Sequence, residues 1–66
     1  MATKPAEICL MVQLSDQEAC DLAQFLKRVG YSDFRGNAVD DEEAYRMQNV
    51  AEKIRQTLNQ FGYDPR

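Results

Sequence analysis

The chain contains no histidine and no tryptophan, only two cysteines and three glycines, and no apolar run longer than Ile8 to Val12. Without histidine, the common zinc sets that use imidazole are excluded. A serine or cysteine nucleophile also lacks its commonest general base, and the scattered carboxylates form no acid–base pair. Cys9 and Cys20 are too few for the disulfide frameworks of small secreted domains and do not form a C-x-x-C pair. They are expected as reduced thiols, buried or half-buried. The longest apolar run is far below the about 20 residues that a membrane-spanning helix needs. Met1 to Ile8 has one lysine and a proline but no sustained apolar core with a small-residue cleavage site, so no signal peptide is expected. The glycines each fall at an expected stop or turn, and none builds a phosphate-cradling loop. The sum of these absences is a cytoplasmic, non-enzymatic protein with no cofactor, no metal and no membrane segment.

What is present begins with size and charge. Sixty-six residues make one small domain, and such a chain buries only about 60% of the surface its unfolded form exposes. Extra burial through self-association is therefore expected. Eleven acidic against eight basic side chains give a net charge of −3, which disfavours nucleic acid and anionic membrane surfaces as partners. A protein partner with a basic surface fits better.

The order of elements follows from local signals. Met1 to Ala6 is read as a loose terminus. From Glu7 to Leu14 the residues Ile8, Leu10, Val12 and Leu14 alternate with Cys9, Met11 and Gln13, a period-two pattern that predicts a strand, with a buried extended arm or a first helical turn as rivals. No second strand candidate exists in the chain, so a strand mate would come from another copy, through Ile8, Leu10 and Val12. Ser15 with Glu18 forms a capping box that starts a helix over 15–29. Its apolar stripe is Ala19, Leu22, Ala23, Phe25, Leu26 and Val29, with Lys27 and Arg28 in the last turn and Gly30 expected at the left-handed stop. Residues 30–39 form a linker in which Ser32 caps a single turn, Phe34 plugs the core, and Gly36 and Asn37 take positive φ.

The densest charge in the chain is the tetrad Asp40-Asp41-Glu42-Glu43. Asp40 with Glu43 repeats the capping box and starts a second helix over 40–61. Its apolar residues Ala44, Met47, Ala51, Ile54, Leu58 and Phe61 recur at spacings of three and four, the seam by which one helix packs on another. Gly62 ends it, and 62–66 is a tail. Carboxylates in a first turn stabilise a helix without any partner. Asp41 and Glu42 follow the cap and should point mainly to solvent, so with the aromatic anchor Tyr45 they are the candidate protein-binding residues. The fold class is thus mainly α: one short N-terminal strand or extended arm, then two antiparallel helices joined by a loop with a single helical turn.

One strand followed by two helices over Glu7 to Phe61 resembles the ribbon-helix-helix repressors, in which two chains pair strands into a ribbon that enters the DNA major groove. That resemblance implies a dimeric DNA-binding transcriptional regulator as an alternative function. The stretch Phe25-Leu26-Lys27-Arg28-Val29-Gly30-Tyr31-Ser32-Asp33-Phe34-Arg35, the triplet Glu43-Ala44-Tyr45 and the closing Gly62-Tyr63-Asp64-Pro65-Arg66 resemble an uncharacterised family of short proteins from bacterial plasmids and prophages. It implies a mobile-element origin and an inhibitor or accessory protein that occupies a host protein.

Overall fold

A computed structural model describes residues 7–64. The expected loose terminus 1–6 and the tail residues Pro65 and Arg66 lie outside the described residues. The described helices are α1 (Asp16–Arg28), α2 (Tyr31–Gly36) and α3 (Asp41–Gln60), preceded by an extended arm. The mainly α architecture matches the expectation. No residue from 7 to 15 is in a strand: period-two patterning shows which side chains share a face, but a strand also needs a ladder mate, and the single chain offers none.

α1 starts where the capping box demands. The Ser15 hydroxyl accepts from the Glu18 N–H at 3.1 Å, and the Glu18 carboxylate accepts from the Ser15 N–H at 2.8 Å. Its end departs from expectation. Val29 closes the helix in extended geometry, and Gly30 has φ −109°, so it is not a left-handed stop. Gly30 instead serves as the N-cap of α2, where the Asp33 carboxylate accepts its N–H at 2.9 Å. Asp33 therefore starts the short helix from its third position, and Ser32 does not cap it. Neither Gly36 nor Asn37 has positive φ; Asn37 stops α2 by donating its amide to the Asp33 carbonyl at 2.8 Å. Phe34 is half-buried at the surface of this turn and does not plug the core.

α3 begins at the Asp40 cap, whose carboxylate accepts the Glu43 N–H at 2.8 Å. The reciprocal half of the box is displaced by one residue, because the Glu43 carboxylate accepts from the Val39 N–H at 2.9 Å. At the other end Gly62, with φ +96°, sits in the left-handed region. The Tyr63 N–H reaches the Leu58 carbonyl at 3.0 Å and the Gly62 N–H the Asn59 carbonyl at 2.9 Å, the paired bonds of a Schellman stop. Tyr63 then packs on Leu58 and donates its hydroxyl to Asp16 Oδ1 at 2.7 Å. This bond joins the end of α3 to the start of α1, so the two helices run antiparallel.

The core is small. Ala19 and Ala23 of α1 meet Leu58 of α3, with Leu22, Leu26 and Tyr63 packed partly against them; Ala44 is buried apart from that cluster. Alanine lets helix axes approach closely but hides little apolar area, so these contacts supply little hydrophobic stabilisation. At about 1.5 Å per residue α3 is about 30 Å long and α1 about 20 Å. α2 packs against α3 as well, so α1 and α2 divide its length between them. The molecule measures 39 × 32 × 15 Å, and since a helix with its side chains is about 10–12 Å across, its thinnest dimension holds one layer of helices.

Candidate functional site

The sequence-predicted binding residues fall on two separate features. Asp41, Glu42 and Tyr45 lie where α2 meets α3. The Asp41 carboxylate accepts from the Tyr31 hydroxyl at 3.0 Å and from Arg35 Nε at 2.8 Å. Tyr31 in turn packs on Tyr45, their ring centroids 5.1 Å apart. These two donors, Tyr31 first and then Arg35, hold the Asp41 carboxyl below its usual range. Partial burial, then the bond to Asp41, pushes the Tyr31 phenol up. Asp41 was expected to point mainly to solvent; it is exposed yet committed to the joint, because α2 brings two donors onto the first turn of α3. Glu42 is exposed with no hydrogen bond or ion pair among the described residues. Tyr45 keeps 56% of its surface open while stacking on Tyr31.

The second feature is the arm. Ile8, Leu10, Met11 and Val12 are all exposed, Leu10 at 78%. Cys9 is also exposed and Cys20 half-buried, both free, so the expectation of a sheltered thiol fails at Cys9 because the arm has nothing packed over it.

A third feature was not legible as a surface in the sequence. Ile54 and Phe61 were assigned to the seam of α3 and Phe25 to that of α1, yet they are exposed at 43%, 76% and 61%. The reason is the width of the apolar arc. At 100° per residue, Met47, Val50, Ile54 and Phe61 cluster within about 60° of one another, on a line beside the Ala44–Ala51–Leu58 line that faces the other helices. Packing in one layer covers the second line and leaves the first open. Val50, outside the predicted seam, belongs to it and is 58% exposed. The signal available was this excess of apolar width over what one narrow contact can bury. A shallow groove along the stripe is lined by Glu43, Arg46, Met47, Val50 and Ala51.

Among the described residues no group of three or more histidine, cysteine, aspartate or glutamate side chains is placed to hold a metal ion, and no helix is long and apolar enough to cross a membrane. Comparison with known families gives one match, in which the model of a family of unknown function, DUF7706, covers residues 1–66. The chain belongs to the DUF7706 family. No curated protein and no solved structure matches this DUF7706 chain. Its functional reading therefore rests on its own surfaces: an exposed apolar arm, an exposed apolar stripe on α3, and an acidic helix start with one unengaged carboxylate at Glu42.

Proposed function

We propose that this DUF7706 chain is a small acidic protein-binding factor that self-associates as a homodimer. In this reading it is encoded on a bacterial plasmid or prophage and acts in the cytoplasm as an inhibitor or accessory protein, by occupying a host protein with a basic surface. It is a binder, not an enzyme. The observation that carries the reading is the apolar surface the folded chain leaves open. The chain exposes 5905 Å², whereas a folded chain of its 7.6 kDa mass ordinarily exposes about 4,300 Å². That surplus exceeds the about 800 Å² each partner contributes to a standard interface. Contiguous open apolar patches on this scale mark interaction sites.

The arm supports self-association through Ile8, Leu10 and Val12, whose backbone lacks a mate within the chain. Glu42 and Tyr45 support a basic partner, as a free carboxylate beside a rigid aromatic ring. The ribbon-helix-helix alternative shares the arm pairing, but residues 7–15 contain no lysine or arginine to neutralise phosphate. The test is capture from bacterial lysate on immobilised full-length chain, wild type against Glu42→Lys. The expected result is a basic protein retained by the wild type and reduced at least tenfold on the variant. Equal retention on both, or none on the wild type, contradicts the reading.

A further inference from the structure

We infer that the apolar stripe of α3 is the seat of a second copy of this chain, the two α3 helices packing antiparallel about a twofold axis near Ile54. The inference deepens the self-association part of the proposed function and rests on it.

The stripe suits its own copy better than an unrelated ligand. Met47, Val50, Ile54, Thr57 and Phe61 follow one another at alternating spacings of three and four, the repeat that seats one helix along another. Ile54 is the midpoint of this row, so a twofold axis there sets Met47 of each copy against Phe61 of the other, as an isologous contact requires. The chain's own arm does not cover the stripe, since Val50, Ile54 and Phe61 are exposed and so are Ile8, Leu10 and Val12. The surplus of exposed surface is also of the size that a protein partner fills. A second copy laid on this face would turn one layer of helices into two, the arrangement that gives a helical domain a core.

Charge selects the direction. Four carboxylates, Asp40 to Glu43, crowd the start of α3. In a parallel pair the two tetrads would lie about 10 Å apart, the spacing of packed helices, close to one Debye length at about 0.1 M salt. In an antiparallel pair they would stand about 30 Å apart, where salt screens them, and the helix dipoles would oppose favourably.

Site-directed cross-linking decides the matter. The full chain carries Cys9→Ser and Cys20→Ser, and receives Met47→Cys, Ile54→Cys or Phe61→Cys, each checked for fold by circular dichroism. A short bismaleimide is then added at tens of micromolar protein. Antiparallel pairing predicts that most of the Ile54→Cys chain becomes covalent dimer. Met47→Cys and Phe61→Cys should each stay monomeric alone, because like positions are about 21 Å apart, yet cross-link when mixed. Self-linking at all three positions would mean a parallel pair and overturn the inference. A dimer by light scattering with no link at position 54 would place the interface elsewhere, overturning the inference but not self-association. A monomer by light scattering would overturn both.

Discussion

Asp41 occupies the first helical position of α3 and also ties α2 to it through Tyr31 and Arg35. Its folded pKa is lowered, so its contribution to stability is present above the ordinary carboxylate value of about 4 and is lost as pH falls through the lower folded value. Glu18, lowered by the Ser15 backbone and hydroxyl, behaves the same way. Tyr31 and Tyr63 are raised, Tyr63 chiefly by its bond to Asp16. Their contribution is present below about pH 10 and is lost as pH rises through the higher folded values. Thermal melts against pH should therefore give a plateau near neutrality with a fall on each side. Asp41→Asn should lower the melting temperature at pH 7 and flatten the acid limb; an unchanged melt and unchanged acid slope would remove Asp41 from the joint. These bonds mark where reading the sequence stops. Ser15 with Glu18 and Asp40 with Glu43 span three residues, so backbone geometry alone brings them together. Tyr31 with Asp41 and Tyr63 with Asp16 need the path of the chain, which no local pattern specifies.

For elements, starts were legible and stops were not. An N-cap is written in side chains, whereas a stop depends on which backbone conformation the following segment requires. Gly30, Gly36 and Asn37 permit positive φ without being made to adopt it, and only Gly62 does so, because the Schellman bonds to Leu58 and Asn59 turn Tyr63 back onto the core. This difference is measurable. Gly62→Ala should destabilise the chain by about 1–2 kcal/mol, the usual cost of placing a β-carbon in the left-handed region. Gly36→Ala, inside α2 with nothing within 4 Å of the added carbon, should stabilise by about 0.4–1 kcal/mol through the unfolded state. Denaturant titration of both variants checks the contrast, and equal effects would contradict the assigned geometry. The arm follows the same logic: alternation in Ile8 to Leu14 was legible as shared faces, but whether an extended segment becomes a strand is decided by a mate outside the chain.

At the scale of the whole molecule, the sequence shows more apolar side chains on α3 than α1 and α2 can cover. The described core rests on Ala19, Ala23, Ala44 and Leu58, while Val50, Ile54, Phe61 and the arm stay open. A chain of this size ordinarily has a radius of gyration of about 11 Å, against 14.0 Å here. A single layer of helices with an uncovered apolar side is half of a packed architecture, and completion by a second copy is the economical solution for a 66-residue chain. The most direct test is the mass of the unmodified protein by light scattering at tens of micromolar, alongside Ile54→Glu. The account predicts twice the chain mass for the wild type, and a monomeric or unfolded species for the variant. A well-folded wild type with the mass of one chain at that concentration would contradict it.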